Sequence, residues 1–278
     1  MLIARHARLL ASDACQAHLA NPAFAMPDMH AMYRVGSSSP LEFLQTGFLL
    51  AATLQEFFPR LGKARVLDVG CGWGRLAIAL APMLGPEARY HGIDAAPAAI
   101  AWCRDAIAAT DPRFRFEHID ARSSYANPSG RLNPEEIVLG PHLAQFDIVV
   151  AASLFTHLLP GATRRYLREM ARLCSPSGAV FATFFLLDPK AQQLSAAGRS
   201  RHSFPHRVGA ASLASLAVPE DAVAYTPAFV LQALREAGLS ARIHCGAWSG
   251  RPNGFDYQDV VVARPSAAPA PEVAADDG

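Results

Sequence analysis

Lysine is nearly missing: only Lys63 and Lys190 occur in 278 residues. Arginine carries the rest of the positive charge, and 25 basic side chains stand against 24 acidic ones, a net charge of +1. So even a balance gives no compositional support for capture of nucleic acid or of an acidic membrane surface, and neither partner is expected. Cysteine is sparse as well. Cys15, Cys71, Cys103, Cys174 and Cys245 are scattered, with no C-x-x-C pair, which excludes a disulfide framework or zinc-site spacing and reads as reduced thiols in a cytoplasmic protein. Long apolar runs are lacking: none approaches the roughly 18 residues of a membrane span. Arg5, His6, Arg8 and Asp13 interrupt the apolar N-terminus, so no signal-peptide core is expected. Internal repeats are absent too.

What is abundant is apolar surface. Hydrophobic residues make up 51% of the chain and alanine alone contributes 53, enough for a sizeable core and against wholesale disorder. Residues 1–60 are mostly helical in pattern. Loops are expected at Asn21–Pro22, Met26–Pro27 and Gly36–Pro40, followed by a helix from Pro40 that stops before Pro59. From residue 64 short apolar runs alternate with helical stretches: Arg65–Val69, Tyr90–Ile93, Phe114–Ile119, Phe146–Ala152 and Ala179–Leu186. Continuous apolar runs of this length suit parallel strands buried on both faces, with crossover helices between them. In one such helix, 163–173, Tyr166, Met170 and Leu173 share a face. A long polar segment, 188–224, precedes a helix near 227–237 and two runs, Ala241–Cys245 and Asp259–Ala263, close enough to pair antiparallel. The pattern predicts a doubly wound α/β domain, whose ligand site lies at the carboxyl ends of the strands where strand order reverses. The Pro/Ala/acidic tail, 265–278, is expected to be disordered.

The strongest local signal is Val66-Leu67-Asp68-Val69-Gly70-Cys71-Gly72-Trp73-Gly74-Arg75-Leu76. An apolar strand runs into three alternate glycines and then a helix, which lets a backbone turn sharply and a ligand approach closely. The loop is neither G-x-x-x-x-G-K-[ST] nor G-x-G-x-x-G, the spacings that cradle phosphates. An aspartate two residues before the first glycine would repel a pyrophosphate and attract an ammonium or sulfonium group.

Asp68-Val69-Gly70-Cys71-Gly72-Trp73-Gly74 resembles motif I of the class I S-adenosylmethionine-dependent methyltransferases. The resemblance spans about residues 40–264. It implies a mostly parallel seven-stranded sheet with helices on both faces, a helical cap over residues 1–60 and a catalytic domain over 61–264. It also implies S-adenosylmethionine as cofactor. Asp94, closing the second strand, matches the acid that binds both ribose hydroxyls, and as a carboxylate offers two acceptors to a cis-diol. It could also cap the helix begun by Pro97. Asp120, after the third strand, matches the acid that holds the adenine edge together with the following backbone amides. The implied cofactor contacts are thus Asp68, Gly70, Cys71, Gly72, Gly74, Asp94, Ala95, Asp120, Ala121 and Ser153.

The fourth strand continues as Ser153-Leu154-Phe155-Thr156-His157-Leu158, without the [DN]-P-P-[YF] of enzymes that methylate DNA bases or protein glutamine. This resembles the small-molecule branch and implies a small hydroxylated metabolite or sugar as acceptor, methylated at oxygen. Methylation at carbon or nitrogen, and a non-catalytic cofactor-binding module, remain alternatives. His157 is the candidate general base, because histidine titrates near neutrality and this one falls at the sheet's carboxyl edge. The segment 187–225 is too long for a simple connection and is expected to cover the acceptor. Its Arg199, Arg201, His202, His206 and Arg207 could meet an anion. His202-x-x-x-His206 could suggest a metal, but Pro205 disfavours the helix that would align the pair, and no metal is expected. Trp248, Arg251 and Tyr257 could line the acceptor side; Tyr33, Arg34 and Phe43 could close over the cofactor. Setting aside the tail acids Glu272, Asp276 and Asp277 raises the net charge of the remainder to +4, which leaves room for an acidic acceptor.

Overall fold

A computed structural model describes residues 12–18, 20, 26–124 and 126–266; residues 1–11 and 267–278, and most of the expected tail, lie outside them. Helices α1 (Met29–Arg34) and α2 (Pro40–Phe57) precede β1 (Arg65–Val69). Then follow α3 (Arg75–Leu80), β2 (Arg89–Asp94), α4 (Pro97–Cys103), β3 (Phe114–His118), β4 (Phe146–Ala151), α5 (Pro160–Leu173) and β5 (Cys174–Leu186). The C-terminal third holds α6 (Pro189–Ala196), β6 (His206–Val208), β7 (Ala211–Leu213), β8 (Val223–Tyr225), α7 (Pro227–Glu236), β9 (Leu239–His244) and β10 (Asp259–Pro265).

Strand order is β3-β2-β1-β4-β5, all parallel, and β10 joins β5 antiparallel with β9 outside it. Order reverses between β1 and β4, which fixes where a ligand site opens. Alternation along each strand splits the core in two. Val66, Ile148, Val150, Val260 and Val262 face α2, α3 and α4, whereas Leu67, Val69, Val149, Ala151, Val261 and Ala263 face α5 and α7. Both faces are covered, which is why these strands read as continuous apolar runs.

The sheet has ten strands rather than seven. β5 is 13 residues long and outruns β10, whose register reaches only Phe184. Its last residues, Phe185 and Leu186, pair instead with β8, and β7 and β6 extend that edge. The polar stretch 188–224 therefore contains a helix and the first strands of a small meander; α6 is started by Asp188, whose side chain accepts from the Ala191 amide at 2.7 Å. Pro265 closes β10 opposite Leu239, so the ordered chain runs past the expected start of the tail. Among the described residues no helix is long and apolar enough to cross a membrane.

Candidate functional site

One cavity of about 1140 Å³ opens at the carboxyl ends of β1, β2, β4 and β5. Its cofactor-like end is made of backbone. Gly70 and Cys71 both donate their amides to the Ile93 carbonyl, at 2.8 and 3.1 Å, which bends the loop away from β1. The Asp94 carboxylate then holds the loop from outside: Oδ2 accepts from the Gly72 amide and Oδ1 from the Ala96 amide, each at 2.7 Å. Ala96, not Asp94, occupies the N-cap position of α4. Gly70 adopts φ +82°, open to glycine without strain, and an added Cβ would press on Leu154 at 3.2 Å.

Asp68 lies beneath this loop, 3% exposed. Tyr90 donates its hydroxyl to Asp68 Oδ2 at 2.5 Å; Oδ1 takes no hydrogen bond from the described residues. Burial pushes the Asp68 carboxyl up to about 7, against the pull of the Tyr90 bond. Burial also raises Asp94, opposed by its bonds from the Ala96 and Gly72 amides. Two carboxylates with spare acceptor capacity suit a cation and a diol at this end of the cavity. Those are the features S-adenosylmethionine offers, so the donor set fits that cofactor.

The expected contacts divide. Asp68, Gly70, Cys71, Gly72, Asp94, Ala95, Ala121 and Ser153 line the cavity. Gly74 and Asp120 do not. Gly74, at φ +71°, caps α3, and its missing Cβ makes room for Ile107 and Cys103. Asp120 turns to its own loop: Oδ2 pairs with Arg131 Nε at 2.6 Å and Oδ1 accepts from Asn127 Nδ2 at 3.2 Å. The cavity wall there is Ile119 and Ala121.

The opposite end is made of side chains. Ser153 holds φ +58°, the only non-glycine positive φ among the described residues. Strain of about 1–3 kcal/mol at such a residue needs bonds to hold it. Its amide donates to Thr183 Oγ1 at 2.7 Å, and the Ser153 and Thr183 hydroxyls both donate to Gln258 Oε1, at 3.1 and 2.6 Å. His157 Nδ1 lies 2.8 Å from the Glu220 carbonyl. A carbonyl only accepts, so Nδ1 carries a proton, and Nε2 is the nitrogen that bears the lone pair in the neutral form of that ring. His202 Nε2 meets the Tyr257 hydroxyl at 2.7 Å, with its ring against Phe185.

Of the basic cluster in 199–207, Arg201 and His202 line the cavity, whereas Arg199, Arg207 and His206, which opens β6, do not. Tyr257 and Arg34 also line it. Trp248 belongs to the interior, fully buried, with Nε1 donating to Asp259 at 2.6 Å. Arg251 pairs with Asp188 at 2.8 Å through both carboxylate oxygens. Phe43 is buried under the Arg75 guanidinium, and Tyr33 points to solvent. Trp248, Phe43 and Arg251 are each drawn away by a partner that spacing along the chain does not display, and Tyr33 is left outside the cavity on the surface. Sequence reasoning missed Tyr166, Gln258 and Thr183. Tyr166 is 5% exposed yet lines the cavity; a hydroxyl on an otherwise apolar helix face was the available signal.

Residues 66–178 match a family described as a methyltransferase domain. Solved structures share the fold at low identity. A magnesium protoporphyrin IX methyltransferase from Synechocystis, with bound SAH, is 16% identical with a TM-score of 0.53, covering 86% of this chain and 94% of that one. DesVI from Streptomyces venezuelae is 14% identical with a TM-score of 0.52, covering 87% and 100%. An O-methyltransferase-like protein from Nostoc punctiforme is 17% identical with a TM-score of 0.51, covering 92% and 69%. With the glycine loop, the carboxylate pair and the strand order in place, residues 66–178 carry a methyltransferase domain, on the fold that the SAH-bound methyltransferase from Synechocystis shares.

Proposed function

We propose that the protein methylates a hydroxyl of a small, polar, sugar-like molecule, with His157 as general base. The observation that carries this reading is the His157–Glu220 bond, which puts a basic Nε2 on an imidazole lining the same cavity as Asp68, Asp94 and the glycine loop. S-adenosylmethionine, when bound, supplies a methyl group already activated by its sulfonium charge. The chain's own work is then to hold the cofactor, align the acceptor, exclude water and take a proton. Asp68 would face the cationic portion and Asp94 the ribose diol, while the wall of Ile119 and Ala121 would meet the adenine. Gly74 and Asp120 would act behind the wall rather than on it.

The acceptor end supports a hydroxylated ligand. Gln258, Ser153, Tyr257, His202, Asp221 and Glu220 offer donors and acceptors, and Leu49, Leu50 and Phe185 offer apolar faces. That mixture, a few convergent polar groups on an apolar lining, is how small-molecule sites fix orientation. In the same reading residues 1–60 form a cap, 61–264 the catalytic domain and 187–225 the acceptor-side cover.

Incubation with labelled S-adenosylmethionine and a metabolite extract, followed by mass spectrometry, tests the proposal. The expected product carries one added CH₂ on oxygen. With that product as assay, His157→Ala should lose about 10²–10⁴-fold in turnover while binding S-adenosylhomocysteine as the parent does. A variant with full turnover removes His157 from the role, and a product methylated at nitrogen or carbon overturns the hydroxyl acceptor.

A further inference from the structure

Glu220 touches both ends of the cavity. Its backbone carbonyl accepts the Nδ1–H of His157 at 2.8 Å. Its carboxylate oxygen Oε2 accepts from the Ser124 amide at 2.7 Å, from Ser124 Oγ at 2.8 Å and from Ser123 Oγ at 3.1 Å. Ser123 and Ser124 follow Ala121 and Arg122, on the wall of the cofactor end. We propose that Glu220 is a positioning residue that couples this wall to the tautomer and orientation of His157, so that a cofactor seated against the wall steadies the base. The inference rests on the reading of His157 as the base.

Three observations support a mechanical link rather than a chance contact. First, the wall is braced from behind. Ser123 and Asn127 exchange backbone hydrogen bonds, both at 3.0 Å, and Asp120 holds Asn127 and Arg131. This gives Asp120 work that its distance from the cavity would otherwise leave unexplained. Second, the chain beyond Glu220 is fixed to the residue before His157, because the Val223 amide donates to the Thr156 carbonyl at 2.8 Å. Third, the stretch before Glu220 buries little apolar surface, since Leu216 and Val218 are exposed, and it is held mainly by its own turn: Ser215 Oγ accepts from the Ala217 and Val218 amides, each at 3.2 Å, and the Asp221 amide donates to the Val218 carbonyl at 3.0 Å. A carboxylate taking three donors is a stronger tether than neutral bonds would make.

The side chain and the carbonyl of Glu220 do separate jobs, which makes the coupling separable by mutation. Glu220→Ala keeps the carbonyl and deletes the tether, so any effect on His157 must pass through position. Glu220→Gln keeps an amide oxygen that can still accept from the Ser124 amide. A bond of ordinary net strength biases a two-state equilibrium about fivefold, and a bias of that size toward the Nδ1–H form is what the tether protects.

Long-range ¹H–¹⁵N spectra of the full chain, labelled at histidine, read the tautomer directly, with His157 assigned by its loss in His157→Gln. The probe is S-adenosylhomocysteine. In the parent protein His157 should show the Nδ1–H form, and the probe should move its signals. In Glu220→Ala the tautomer bias should fall about fivefold and the response to the probe should vanish, while calorimetry still detects probe binding. Glu220→Gln should recover part of both. Unmoved His157 signals in a Glu220→Ala protein that binds the probe overturn the coupling. So do equal changes at His91 and His118, which would indicate general loosening. If Glu220→Ala fails to fold, Ser124→Ala with Ser123→Ala removes the two hydroxyl bonds to the Glu220 carboxylate, leaves the Ser124 amide bond and Glu220 in place, and carries the same expectation in weaker form. A fully active His157→Ala would remove the base and say nothing about the tautomer, so the two ideas fail in different experiments.

Discussion

The two ends of the cavity are built by opposite means. At the cofactor end backbone holds backbone: Gly70 and Cys71 share the Ile93 carbonyl, and a single carboxylate, Asp94, pins the turns after β1 and β2. At the other end side chains from distant segments hold each other: Ser153 with Thr183 and Gln258, His157 with Glu220, His202 with Tyr257. A backbone cradle can bind one cofactor whatever side chains surround it. A side-chain lattice is free to change with the acceptor, and so, in the proposed reading, is the part that would set what this chain methylates.

Removing the scaffold behind the acceptor end should have the largest effect. Asp259 accepts from the amides of Leu186 and Gly246 and from Trp248 Nε1, at 2.7, 2.7 and 2.6 Å. Asp259→Ala leaves three buried donors without a partner, at a cost of about 3–5 kcal/mol, seen as a lower midpoint in thermal unfolding. An unchanged midpoint would mean the acceptor end does not depend on this anchor.

Asp94→Ala strikes the other end. It strips the acceptor from the Gly72 and Ala96 amides, and S-adenosylhomocysteine affinity should drop about 100-fold, or ~3 kcal/mol for charge-assisted bonds. Gln258→Ala sharpens the contrast: turnover should fall about tenfold through the lost alignment of Ser153 and Thr183, with cofactor affinity within about threefold. If calorimetry shows the Gln258 variant losing cofactor as badly as the Asp94 variant, the two ends are not separable.

A subtler test is pH. The free Asp68 carboxyl is held up to about 7 by burial, and a cationic ligand needs it ionised. Affinity for S-adenosylmethionine should therefore rise about tenfold between pH 6 and 8, and Asp68→Asn should flatten the rise. The same shift works against the folded state: it binds a proton that the unfolded chain has lost, so stability conferred by this group is present below pH 4 and falls as pH climbs toward 7. Tyr90→Phe, which deletes the bond that pulls Asp68 down, should move the affinity midpoint upward by a small amount.

The same contrast explains what could be read from the chain. β1, the glycine loop and Asp94 are legible because their interactions are local in the fold's pattern: an apolar strand, a turn only glycines make, a carboxylate at the next strand end. Asp120 shows the limit. Its position was legible, but its partners, Asn127 and Arg131, lie in a loop without period, and they turn the carboxylate away from the cavity. Trp248 and Phe43 were open to two readings because an aromatic looks the same in a core as on a ligand wall. The three extra strands arise from the length by which β5 outruns β10, a tertiary mismatch that no local pattern announces. Glu220 joins residues 63 and 96 positions away, beyond the reach of any motif.

Titration calorimetry with S-adenosylmethionine and S-adenosylhomocysteine tests the central claim most directly. One site per chain for each ligand, with dissociation well below the millimolar range and lost in Asp94→Ala, is the predicted result. No heat from either ligand at millimolar concentration, with the parent protein folded, would contradict it.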